Sequence, residues 1–309
     1  MIPLHAPFVK QAALAVGFDA CGIAAAVPLT EEEWGYEEWL RNGYHADMAY
    51  MEQHQDLRRD PTLLLPGAKS VISLLVGYKP SSLMQGSARI AQYAYGEDYH
   101  ERIKRMLFQL IAAIRQQYPE FEAKPCVDTV PISDKQWAHR AGLGWIGRNT
   151  LLVNPTLGSY CNIAELVTTS PADHYDTPIE NGCGDCRACV DACPNKALTH
   201  SHIHTLTHSH LPLLNANRCA SYHTIENRAE TLPDGIRLSG YAFGCDICQL
   251  VCPYNQAATV RYTLTDERKA QLEALADTDP AAFKKATKHT ALSRIRHTQW
   301  LRNREQRET

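Results

Sequence analysis

The feature that most restricts this chain is a set of eight cysteines within residues 183–252. Cys183, Cys186, Cys189 and Cys193-Pro194 spell C-x2-C-x2-C-x3-C-P. In such a run three thiolates wrap one iron–sulfur cubane and the fourth serves a second. Cys245, Cys248 and Cys252-Pro253 repeat the last three positions, and Cys219, between the two runs, supplies the missing ligand. The pseudo-symmetry partitions the set into Cys183, Cys186, Cys189 and Cys252 on one side and Cys193, Cys219, Cys245 and Cys248 on the other. Each iron takes one thiolate, so two 4Fe-4S clusters are complete, and short x2 loops aim backbone N–H groups at the sulfurs. Zinc held by four cysteines uses the same x2 spacing and is the alternative. A fully ligated cluster presents no open iron to a substrate. The clusters therefore carry electrons, and another centre performs the chemistry.

Residues 1–175 are available to hold that centre. They alternate helical and extended patterns, which predicts an α+β or α/β layer structure. Ile103, Met106, Leu107, Leu110, Ile111 and Ile114 recur at helical spacing within residues 101–118, and Pro119 follows where a helix stops. Residues 70–78 read as a buried strand, with further strands at 151–153 and 163–169. Residues 170–182 read as a linker, 176–260 as a ferredoxin-like two-cluster domain and 261–309 as a short helical basic tail. With 44% apolar residues the chain is globular, and its formal charge of -3 gives no general attraction to phosphate. No secretory signal or membrane span is visible, so a cytoplasmic protein is expected. Cys21, Cys126 and Cys161 read as inert buried thiols.

Gly142-Leu-Gly144-Trp-Ile-Gly147 matches the dinucleotide fingerprint G-x-G-x-x-G, but it follows a helical pattern where a strand is required. A different resemblance runs through this region. Asp134-Lys-Gln-Trp-Ala-His-Arg-Ala-Gly-Leu-Gly-Trp-Ile-Gly147, Leu57-Arg58-Arg59-Asp60-Pro61 with Pro66-Gly-Ala-Lys-Ser70, Tyr93-Ala-Tyr-Gly-Glu-Asp-Tyr-His100 and Cys219-Ala-Ser221-Tyr222 are similar to those of epoxyqueuosine reductases.

The resemblance implies a cobalamin-dependent oxidoreductase that reduces epoxyqueuosine to queuosine at the wobble position of tRNA. The corrinoid would lie between the cluster domain and an N-terminal domain similar to those of B12-processing proteins and reductive dehalogenases. No D-x-H-x-x-G motif offers cobalt a histidine from below. The resemblance makes Asp134 the proton donor and cofactor neighbour, and Arg58, Ser159 and Ser221 further corrinoid contacts. For Asp134, a helix N-cap is the competing reading. The partners implied are tRNA carrying epoxyqueuosine and a low-potential electron donor, with no membrane, and the protein acting as a monomer.

From residue 284 to 307, Lys284, Lys285, Lys288, Arg294, Arg296, Arg302, Arg304 and Arg307 stand against a single acid, Glu305. This run reads either as a phosphate-binding patch or as a solvated helix face. Longer family members continue from here into HEAT-like helical repeats. His200, His202, His204, His208 and His210 alternate with other residues, which predicts a hairpin with a histidine-rich face, an exposed loop or a zinc or nickel site. The competing functions are a reductive dehalogenase, an electron-transfer protein and a zinc-ribbon RNA-binding module.

Overall fold

The computed structural model describes residues 2–30, 33, 35–84, 88–200 and 212–306. Its main sheet is built from β1 (Ala20–Ala25), β2 (Ser70–Gly77), β3 (Ala123–Cys126) and β4 (Cys161–Thr168), in the spatial order β1-β2-β4-β3. Every neighbouring pair is antiparallel, which places the domain on the α+β side of the expected class. All eight residues of β2 are buried, because the apolar run is covered on both faces.

One face carries α1 (Ala6–Val16) and α2 (Tyr99–Gln117). The predicted stripe of α2, from Ile103 to Ile114, packs with Val9, Ile23, Ile72, Leu74 and Leu166. Asp98 starts this helix by accepting the His100 backbone N–H. Helix α1 ends at Gly17, whose φ of 107° supplies the left-handed turn back into β1. The other face carries α3 (Asp134–Arg140), whose Trp137 and Ala138 pack on Val71, Leu75 and Val167. The expected linker is clamped to this domain: Asp173 accepts the Ala6 N–H, and Asp176 accepts from the Ile23 N–H and Lys10 Nζ.

Glu165 of β4 points toward α3, with Ser73 and Cys126 as its cross-strand neighbours. It is 1% exposed, and its Oε1 has no hydrogen-bond partner among the described residues. Burial, reinforced by Asp134, raises its pKa well above the carboxylate range, so it is buried neutral. The folded chain thus holds a proton that the unfolded chain releases, and Glu165 costs stability as pH rises above about 4.3. Glu165→Gln is expected to melt with the wild type at about pH 4 and above it at about pH 7.5. The difference should grow by up to about 1.4 kcal/mol per pH unit, as thermal melts at the two pH values would show.

A third core joins residues from all three expected segments: Ile90 and Tyr95, Ile225 and Phe243, and Leu264, Phe283 and Trp300. This packing corrects the reading of the basic run. Arg302, on α5 (His297–Glu305), is 7% exposed and donates to the carbonyls of His223, Asn227 and Ala229. Arg304 donates to the Ala276 carbonyl, and Arg294 pairs with Glu226. A charge run reads as surface in sequence, but here the guanidinium groups of Arg302 and Arg304 satisfy backbone carbonyls, while Arg294 stays exposed beside Glu226. Lys284, Lys285, Lys288 and Arg296 remain exposed, and Arg307 lies outside the described residues. Arg302→Ala removes the guanidinium donors from the His223 and Ala229 carbonyls and leaves Asn227 only its bond from Gln299 Nε2, so a loss of about 3 kcal/mol in chemical denaturation is expected.

Leu198–His200 pairs antiparallel with Pro212–Leu214, the base of the predicted hairpin. The side chain of His200 and all of His202, His204, His208 and His210 lie outside the described residues.

Candidate active site

In the fold Cys183 and Cys252 lie beside Cys189, and Cys193 and Cys219 lie beside Cys245. Burial pushes the Cys189 thiol up to about 11, with Cys183 and Cys252 beside it adding to the rise. Burial likewise pushes Cys245 up to about 12, reinforced by Cys219, Asp246 and Cys193. The Cys248 thiol is raised by burial, by Cys245 and Cys219, and also by Cys189 of the other group, so the groups adjoin. Thiols raised in this way ionise only when a metal's charge offsets the cost.

Backbone donors already converge on the sulfurs. Cys219 holds the N-cap position of α4 (Ala220–Ile225), where the nearby Ser221 and Tyr222 N–H groups offset part of the burial that raises its thiol. The Ala197 N–H donates to Cys193 Sγ at 3.2 Å. Trp145 Nε1 donates to Cys183 Sγ at 3.4 Å, and its ring meets that of Tyr254 edge-on at 4.8 Å. Trp145 belongs to the glycine-rich motif, which the structure resolves into a hairpin: Trp145–Ile146 pairs with Leu152–Val153. A Cβ on Gly144 would sit 2.4 Å from the Val153 carbonyl oxygen, so this glycine permits strand approach and has nothing to do with a dinucleotide.

Cys193, Cys219, Cys245 and Cys248 together line a cavity of about 340 Å³, along with Ser159 and Ser221. A second cavity of about 230 Å³ is lined by Asp134, Arg58, Tyr36 and Trp39. Lys135, Thr150 and Leu214 line both, so the cluster side and the Asp134 side meet at these three residues. Asp134 is the first residue of α3, with Ser133 at the cap position, and its Oδ1 accepts the Lys135 backbone N–H at 2.9 Å. Burial raises the carboxyl pKa against the opposing pull of Lys135, which favours a carboxylic acid that can donate a proton.

The other sequence candidates divide. Arg58 reaches the second cavity with its buried Nε unpartnered among the described residues and its guanidinium 5.8 Å from the centre of the Tyr36 ring. A buried guanidinium N–H with no acceptor fits a ligand that brings an amide or phosphate oxygen. Ser221 lines the cluster cavity. Ser159 also lines it, but its hydroxyl already donates to Gln249 Oε1 at 3.0 Å and accepts from Asn255 Nδ2 at 2.9 Å. Its place is therefore in the wall, as part of a closed polar network. Sequence reasoning missed Lys135 and Trp145. The first adjoins the candidate acid on its helix, and the second sits inside a motif judged only for dinucleotide binding.

A family model described as "Epoxyqueuosine reductase QueG, DUF1730" matches residues 58–129, and one described as "4Fe-4S double cluster binding domain" matches residues 182–255. The chain is 40% identical to the epoxyqueuosine reductase of Cyclobacterium marinum, over 97% of this chain and 94% of that protein. It belongs to the epoxyqueuosine reductase family. The epoxyqueuosine reductase of Vibrio cholerae is 36% identical over 96% of this chain and 80% of its own length. A crystal structure of epoxyqueuosine reductase with a tRNA-Tyr epoxyqueuosine-modified tRNA stem loop matches with a TM-score of 0.82. That match has 28% identity and covers 97% of this chain and 79% of the other. The cluster model spans all eight cysteines of the framework, and the segment binds two 4Fe-4S clusters in place of zinc.

Proposed function

We propose that this chain reduces epoxyqueuosine in tRNA to queuosine in the cytoplasm, with its two clusters as the electron store. The observation that carries this reading is the shared lining of the two cavities. Four cluster cysteines open onto one, Asp134 onto the other, and Lys135 and Thr150 join them. Among the described residues no helix is long and apolar enough to cross a membrane.

Cysteines 183, 186, 189 and 252 would hold the outer cluster, and Cys186 is exposed there, so a low-potential donor can deliver electrons on that side. Cysteines 193, 219, 245 and 248 would hold the inner cluster against the cavity. Cobalamin would lie where the two cavities meet, with the unpartnered Arg58 Nε facing its polar periphery and Ser159 and Ser221 in the cluster-side wall. When bound, it supplies the cobalt centre at which the clusters' electrons reach the substrate. Asp134 would then protonate the oxygen as the epoxide opens. The exposed Lys284, Lys285, Lys288 and Arg296 can contact tRNA phosphates without reading sequence.

The test is anaerobic incubation of the cluster-loaded chain with cobalamin, reductant and tRNA carrying epoxyqueuosine, followed by mass analysis of the nucleosides. Loss of one oxygen from the modified base is expected. Unchanged epoxyqueuosine would overturn the assignment.

A further inference from the structure

Removing an epoxide oxygen as water breaks two C–O bonds, restores one C=C bond and forms two O–H bonds. Two electrons and two protons must enter. The clusters account for the electrons and Asp134 for one proton, which leaves the second without a source. We propose, resting on the function above, that Lys135 is the second proton donor: its ammonium protonates the departing oxygen after Asp134 has protonated it once. The products are then an Asp134 carboxylate, a neutral Lys135 amine and one water, and both groups regain protons from solvent through the cavity.

The placement of Lys135 supports this role. It follows Asp134 directly and lines both cavities. Its Nζ donates to the Thr150 carbonyl at 2.9 Å. Thr150 is buried and holds a φ of 65°, a left-handed conformation that a β-branched residue adopts only when its surroundings require it. That strain turns a carbonyl toward Lys135 and keeps the ammonium at the junction of the cavities. Burial lowers the ammonium pKa, although Asp134 partly restores it, so Lys135 gives up a proton more readily than an exposed lysine.

Other titratable groups lining the cluster cavity are less suited. The Tyr99 hydroxyl donates to Asp128 at 3.0 Å, and that of Tyr78 is shared between the Ser159 carbonyl and Gln249. Burial makes Tyr93 a much weaker acid and pushes Cys161 up to about 12. The Asp246 carboxylate oxygens accept from Gln92 and Gln249.

The test compares wild type, Lys135→Met, Lys135→Arg and Lys135→Ala, each loaded with clusters and checked for iron content and tRNA binding. Lys135→Met should lose about 100-fold or more in kcat with iron and tRNA binding unchanged. Lys135→Arg should be impaired similarly, because a guanidinium keeps its proton. Small primary amines should restore turnover to Lys135→Ala, more strongly for amines of lower pKa. Any one of three results overturns the proposal: Lys135→Met within about threefold of wild type, a fully active Lys135→Arg, or an iron-replete Lys135→Ala that no amine rescues. An inactive wild type would instead count against the function itself.

Discussion

Asp134→Asn will lower kcat for epoxyqueuosine reduction by at least about 100-fold, the usual contribution of a positioned general acid, while leaving iron content and cluster absorbance at wild-type values. Asparagine keeps the volume of the side chain and an oxygen that can accept the Lys135 N–H, so α3 retains its first turn. Only the proton is lost. The pH dependence gives a second reading of the same residue. Burial raises the Asp134 pKa in the folded chain, so the active protonated form is complete at low pH and is lost as pH rises through the raised value. Wild-type turnover should therefore fall on that alkaline limb, and the residual activity of the asparagine variant should not follow it. An Asn variant with wild-type turnover would remove Asp134 from the mechanism.

The cluster ligands give the other large effect, and a pairing experiment reads the partition directly. Replacing any one of the eight by alanine should reduce iron from about eight to about four per chain and abolish turnover. The identity of the surviving cluster is the sharper result. Cys183→Ala and Cys252→Ala should leave one and the same residual paramagnetic spectrum, and Cys193→Ala and Cys219→Ala the other. This crossing of sequence runs is expected from the geometry, in which Cys252 adjoins Cys189 and Cys193 adjoins Cys245. If Cys193→Ala matched Cys183→Ala, each run would hold its own cluster and the interleaved arrangement would be wrong.

The parts of this site that were legible in sequence are those whose physics is local. Cysteine spacing is a direct record of how a short loop wraps a cubane, and the stripe from Ile103 to Ile114 records which face of α2 meets the sheet. Antiparallel strand order was not legible, because β2 pairs with residues far along the chain and its apolar run suits either direction. The inward turn of Arg302 was hidden for a related reason: the carbonyls it satisfies lie on residues more than seventy positions earlier. Lys135 escaped notice because lysine is ordinarily a surface residue, and only the folded chain shows that it stands between two cavities. Resemblance pointed to Ser159 without revealing that its hydroxyl is already committed to Gln249 and Asn255.

The central claim is that electrons held by the two cysteine cages are consumed at the joined cavities when the epoxide is reduced. Rapid mixing of the reduced, donor-free holoenzyme with epoxyqueuosine-bearing tRNA, with the reduced-cluster signal and queuosine followed in the same samples, tests it directly. The cluster signal is expected to decay as queuosine appears, on one time course and with two electrons consumed per nucleoside formed. Queuosine formed while both clusters stay reduced, or clusters oxidised without queuosine, would contradict it.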